Sequence, residues 1–127
     1  MVYSFDYDTS YIPAMPTAEI RIGRALHDPT LTLTALVDSG ADGTIIPVSY
    51  LKQIRARKAG KTWMSGTTGE RAQVDLYQVS LQLGSYHRGR LEVVGDTRNH
   101  EVIIGRDTLN HLIVTLNGLA NVVEITD

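Results

Sequence analysis

Asp38 sits at the end of an apolar run, Ala35-Leu36-Val37, and is followed at once by Ser39 and Gly40. A second apolar segment, Ile45-Ile46-Pro47, picks up after Ala41-Asp42-Gly43-Thr44. A carboxylate carried into a tight turn by a buried strand is costly unless its charge is used or satisfied. The neighbours suit use. Ser39 supplies a hydroxyl that can hold the turn, and Gly40 has no side chain to block the open face of the acid. The chemistry this offers is proton transfer by a positioned carboxylate. Spacing alone leaves a plainer reading open, in which Asp38 only shapes an Asx turn.

Other chemistries find little support. Gly60-Lys61-Thr62 ends like a phosphate-binding loop, but the earlier glycine such a loop needs is Arg55 here. His27, His87, His100 and His111 lack metal-ligand spacing. There is no Gly-x-Ser-x-Gly elbow, and Ser39 has no evident histidine partner. The chain has no cysteine, which removes disulfides and thiolate nucleophiles and is compatible with a reducing compartment. No metal or other cofactor is expected.

The 127 residues suffice for one domain, and 43% hydrophobic with 20% charged residues is ordinary for a soluble globule. A net charge of −2 gives no electrostatic reason to expect nucleic acid or an anionic membrane as partner. The cluster Lys52, Arg55, Arg57, Lys58 and Lys61 reads as a solvated helix face. The N-terminus lacks the pattern of a signal peptide, and no stretch approaches the ~20 apolar residues of a membrane span. The expectation is a soluble, cytoplasmic protein.

The elements that must position Asp38 are mainly strands. Residues 1–16, with Pro13 and Pro16, read as an extended arm that orders only if it packs on something. Alternation predicts strands over 18–22 and 31–37, joined by a turn at His27-Asp28-Pro29-Thr30. Ser49 is a candidate N-cap for a helix through Arg57, ending near Gly60. Residues 61–65 and 71–83 then form a hairpin around Gly66-Thr67-Thr68-Gly69. In the returning strand the apolar phase switches: Val74 and Leu76 share one register, Tyr77, Val79, Leu81 and Leu83 the other. A strand that swaps its buried face must bend or bulge, freeing its first half to project as a flap. A turn at 84–87, a strand at 91–94, a turn at 96–99, a strand at 101–104 and a short helix over 107–112 follow. Strands at 113–116 and 122–125 pair around Asn117-Gly118.

Three segments in this order carry a resemblance: Ala35 to Pro47, Met64-Ser-Gly-Thr-Thr-Gly69, and Ile103-Ile-Gly-Arg-Asp-Thr-Leu109. Together the chain resembles the retropepsins, the single-domain aspartic peptidases of retroviruses and bacterial relatives, collinearly from about Ala18 to Asn117. The resemblance implies a mainly β, closed barrel-like fold with one or two short helices and a flap hairpin. It makes 17–127 the peptidase domain behind the 1–16 arm. It also implies an active site on a two-fold axis, where Asp38 of each subunit meets its mate. Ser39 would hydrogen-bond beneath the pair, and Gly40 would offer its carbonyl to substrate. Ala41, Asp42, Gly66, Thr67 and Thr68 would contact the peptide, with Arg106 holding Asp42 by an ion pair that is more structural than catalytic. Trp63, at the hairpin base, reads as packing.

Three features depart from the family pattern. Serine replaces the usual threonine after the aspartate, the flap tip carries two threonines, and the chain runs on past Asn117 where compact viral enzymes end. Those viral dimers knit their termini into a shared sheet. One Asp-Ser-Gly per chain requires a homodimer for a two-carboxylate reaction on peptide or protein substrates, with activity at mildly acidic pH. The alternative is a dimer of the same fold that binds peptides with little or no turnover.

Overall fold

The computed structural model describes residues 1–26 and 30–127. The turn expected at 27–30 therefore lies largely outside the described residues. The strands are β1 (Val2–Asp6), β2 (Thr17–Gly23), β3 (Leu31–Val37), β4 (Ile45–Pro47), β5 (Arg57–Ser65), β6 (Arg71–Leu83), β7 (Tyr86–Asp96), β8 (Val102–Ile104), β9 (Ile113–Asn117) and β10 (Val122–Thr126). Two short helices interrupt them, α1 (Val48–Gln53) and α2 (Arg106–Leu109).

Six strands close into a barrel in the order β2-β3-β8-β4-β7-β6, because β6 returns to pair with β2. β2 shows why the sequence folds this way. Ala18, Ile20 and Ile22 are buried while Glu19 and Arg21 face water, the period-two pattern of a strand with one wet face. Ile20, Ile22, Ala35, Ile46, Val79, Val93 and Ile104 are completely enclosed at the barrel centre. Each large aliphatic there contributes roughly 2 kcal/mol by leaving water.

The phase switch in β6 coincides with a bulge, but on the facing strand β5 and not in β6 itself. β6 pairs with β7 only from Leu76 onward, so residues 71–75 bond to β5 alone. Opposite the switch from Leu76 to Tyr77, β5 inserts Ala59 as a bulge between Lys58 and Gly60. Beyond it, β5 and the start of β6 project as a two-stranded hairpin, and every residue of β5 is exposed.

The arm is not loose. β1 pairs antiparallel with β10, and β10 with β9, as a separate three-stranded sheet. Phe5 and Tyr7 pack against the core from this sheet. β7 is longer than the expected 91–94, starting at Tyr86, because the hairpin turn takes only Gly84 and Ser85.

α1 differs most from expectation. It starts at Val48 with Pro47 as its cap residue, so Ser49 lies inside the helix and caps nothing. It ends at Gln53, with Ile54 as its C-terminal cap residue, four residues before Arg57. The cause is Arg55, which adopts φ +55°. Its N–H donates to Lys52 O (3.1 Å), and Ala56 N–H donates to Leu51 O (3.0 Å), the paired bonds of a Schellman ending. An arginine with positive φ costs about 1 kcal/mol that glycine does not. Arg55→Gly is expected to stabilise the protein by about 0.5–1 kcal/mol, read as a raised denaturation midpoint; a lowered midpoint would contradict this.

Candidate active site

The loop after β3 is held by backbone and side-chain bonds converging from α2 and β8. β8 lies between β3 and β4, parallel to the first and antiparallel to the second, so the 38–44 loop must wrap over its end. Asp38 N–H donates to Ile104 O (3.1 Å), and Ala41 N–H donates to Asp38 O (3.2 Å). The Asp38 carboxylate is half-buried, and its Oδ1 accepts from Gly40 N–H (2.9 Å). That Asx turn fixes the carboxylate's direction without using up its second oxygen.

Arg106 holds the loop's outer side. Its Nη1 donates to Ser39 O (2.7 Å), its Nη2 pairs with Asp42 Oδ1, and its backbone N–H donates to Ala41 O (2.9 Å). The Asp42 side chain is 96% exposed, so the ion pair adds at most about 1 kcal/mol of stability. Its value is positional: with the bonds to Ser39 and Ala41 it ties the 38–44 loop to α2.

A second brace was not legible in the sequence. Asp107 accepts from Thr44 N–H (2.9 Å) and from Thr44 Oγ1–H (2.8 Å). Thr44 is wholly buried, and its hydroxyl oxygen also lies 3.4 Å from Gly105 N. Asp107 reads in sequence as an ordinary first-turn acid of a helix. Only the fold brings it to a threonine 63 positions earlier.

A groove of about 590 Å³ runs between this loop and the projecting hairpin. Gly40, Ala41 and Asp42 form one wall, while Trp63, Met64 and Ser65 form the other. Ile45, Leu76 and Val94 give it an apolar floor, with Glu92 at the edge. A second cleft of about 360 Å³ adjoins it, sharing Ile45, Met64, Ser65 and Val94, and extends between Gly66 and the 96–99 turn. Asp38 and Ser39 are not part of the groove walls, and Thr67 and Thr68 stand exposed at the hairpin tip. Trp63 differs from its expected packing role. It is 59% exposed, with the Arg71 guanidinium over its ring at 5.5 Å.

Asp96 shapes the second cleft. Partial burial pushes its carboxyl up, but N–H groups of Arg98 (2.8 Å) and Asn99 (3.1 Å) outweigh that and hold it below the usual carboxylate range. A carboxyl lowered in the folded state stabilises fully above its unfolded value, and the gain is lost as pH falls through the folded one. The 96–99 turn is therefore expected to loosen on acidification. Amide protection factors at Arg98 and Asn99 should drop in acid for the parent and stay flat for Asp96→Asn. An equally acid-sensitive variant would refute the assignment.

The family model described as retroviral aspartyl protease matches residues 13–117. No curated protein sequence matches the chain. Among solved structures, the EIAV protease in complex with the inhibitor HBY-793 is similar at TM-score 0.59 and 23% identity, covering 76% of this chain and 86% of that one. A retropepsin-like aspartic protease from Rickettsia conorii is similar at TM-score 0.63 and 7% identity, covering 100% of this chain and 95% of that one. At such identities the two structures establish a shared retropepsin fold.

Proposed function

Since the chain belongs to the retroviral aspartyl protease family, we propose that it is an aspartic endopeptidase whose active form is a homodimer with Asp38 from each subunit at its centre. The observation that carries this reading is the 38–44 loop. It holds one half-buried carboxylate bonded, among the described residues, through Oδ1 alone, and two separate braces from α2 fix the loop that carries it.

The chemistry requires the second copy. Hydrolysis without a metal or a covalent nucleophile needs a water deprotonated and a carbonyl oxygen protonated in the same step. Two carboxylates about 3 Å apart cannot both ionise and so share one proton, the general property of aspartic peptidases. One Asp38 takes a proton from water as its oxygen attacks the peptide carbon. The partner's Asp38 gives its proton to the carbonyl oxygen. In the second half the first Asp38 gives the proton it took to the amide nitrogen, the C–N bond breaks, and the partner's Asp38 takes a proton from one of the two hydroxyls on the carbon, leaving an amine, a carboxylic acid and one proton on the pair. The titration belongs to the pair, with activity falling as the shared proton is lost above mildly acidic pH.

The remaining residues take supporting roles. Ser39 contributes the hydroxyl beneath the pair, and Gly40 presents its carbonyl to the bound chain. Asp42 and Ala41 meet the peptide main chain, with Asp42 kept in place by Arg106. The projecting hairpin, through Gly66, Thr67 and Thr68, acts as a flap over the peptide. The apolar floor formed by Ile45, Leu76 and Val94 suits extended substrates with apolar side chains.

A peptide analogue carrying a hydroxyl in place of the scissile carbonyl tests the proposal by calorimetry. Binding of one analogue per two chains, with cleavage of an apolar peptide library at acidic pH, is expected. One analogue per single chain, or no cleavage of any peptide, would overturn it.

A further inference from the structure

Charge is spread unevenly over the surface. The chain carries 12 lysines and arginines against 14 aspartates and glutamates. Yet the groove beside the hairpin is lined by Asp42 and Glu92 and by no lysine or arginine. A third cleft, of about 560 Å³, lies outside β3 and is lined by Asp8 and Glu101, again with neither basic type. Arg98 alone reaches a cleft among the described residues, and there it meets Glu70 and Asp96. Other basic side chains stand elsewhere: Lys58 pairs with Asp75, Arg71 covers Trp63, and Arg57 and Lys61 lie on the exposed strand β5.

One apolar stripe joins the groove to the third cleft. Ala35, Val37, Val102 and Ile104 belong to the core, so their strand neighbours Leu36 and Ile103 face outward. Register carries that outward face across the barrel: Leu36 pairs with Ile103, Ile103 with Ile45, Ile45 with Val94, and Val94 with Leu76. Four strand spacings make the stripe about 19 Å long, the reach of about six extended residues. Asp38 lies two positions past Leu36 and its N–H still bonds Ile104 O, so it leaves β3 on this same face.

The stripe is flanked by acids. Glu92 stands two residues before Val94, and Glu101 two before Ile103. β8 runs antiparallel to β4, and β4 parallel to β7, so the two acids fall on opposite sides of the stripe. Neither enters an ion pair among the described residues. Glu101 accepts from the Tyr11 hydroxyl, which fixes its direction and leaves its charge in place. Asp42, by contrast, is matched by Arg106.

We propose that the substrate is a basic polypeptide, an extended segment whose apolar side chains lie on this stripe while flanking lysines or arginines meet Glu92 and Glu101. The proposal rests on the homodimeric peptidase reading and names its substrate class. Two-fold symmetry repeats the stripe and its acids beyond the scissile bond, so basic residues are selected on both sides of an apolar core. Complementary charge of this kind governs encounter and specificity more than raw affinity.

Peptides sharing one apolar core, with flanks of lysine, glutamine or glutamate, test this through kcat/KM. The parent is expected to cleave the lysine-flanked peptide about tenfold faster than the glutamate-flanked one, since several exposed pairs of modest strength add together. The difference should lie in KM and shrink at high salt. Glu92→Lys combined with Glu101→Lys is expected to reverse the order; both residues are exposed, so the exchange removes no packing. Equal cleavage of the three peptides by the parent, or a lysine preference that the double reversal leaves intact, would overturn the proposal. The same flanks on the hydroxyl-bearing analogue, read by calorimetry, separate it from the peptidase reading. If no peptide is cleaved while the lysine-flanked analogue binds tightest, the peptidase reading falls and the basic ligand stands. If the three analogues bind alike or not at all, the basic ligand falls.

Discussion

Asp38→Asn is expected to lower peptide cleavage by roughly 10⁴ or more, since in a homodimer one substitution removes both the acid and the base. The fold should not change. Among the described residues the carboxylate's one side-chain bond is from Gly40 N–H to Oδ1, and an asparagine Oδ1 accepts it equally well. Thermal midpoint and sedimentation should therefore match the parent, and a hydroxyl-bearing peptide analogue should still bind, more weakly. The comparison also separates the peptidase from a peptide-binding dimer with little turnover. In a binding module the parent itself would show no cleavage for the substitution to remove. Cleavage retained in Asp38→Asn would end the two-carboxylate mechanism.

Gly105→Ala is expected to destabilise the protein by about 3 kcal/mol or more, lowering the midpoint by roughly 10 °C. A Cβ at Gly105 would lie 2.6 Å from the Gly43 carbonyl carbon and 2.9 Å from Ala41 O. Both neighbours are backbone of the loop that carries Asp38, so no side chain can rotate away. Relief requires the loop to lift from α2, which stretches the bond from Arg106 N–H to Ala41 O and the Asp107 clasp on Thr44. Activity should fall further than stability alone predicts, because the loop that moves holds the carboxylate. A variant with an unchanged midpoint would show that the loop shifts freely, against the rigidity argued here.

Much of this was legible from order and period. Alternation in 18–22 and 31–35 marks β2 and the first part of β3 because there each has one wet and one buried face, whereas Ala35, Leu36 and Val37 are all buried. The phase switch between Leu76 and Tyr77 marked where the sheet becomes irregular, but the extra residue, Ala59, sits on the facing strand β5 and not on β6 itself. The end of α1 was not legible: Arg55 in the left-handed region carries no compositional mark, where a glycine would have announced it. Trp63 misled for a related reason, since an aromatic residue usually means burial and here it lines an open groove.

The chain's residues alone determined that Asp38 leaves a buried strand into a glycine-containing turn, and that each copy supplies one such acid, because identity and local pattern are properties of short segments. Only the tertiary structure decided what holds that acid still. Asp107 clasps Thr44, Arg106 bridges Ser39 and Asp42, and Gly105 passes under Gly43 because β8 is threaded between β3 and β4. Such contacts join residues some sixty positions or more apart, and their energies depend on distances that no local run of sequence encodes.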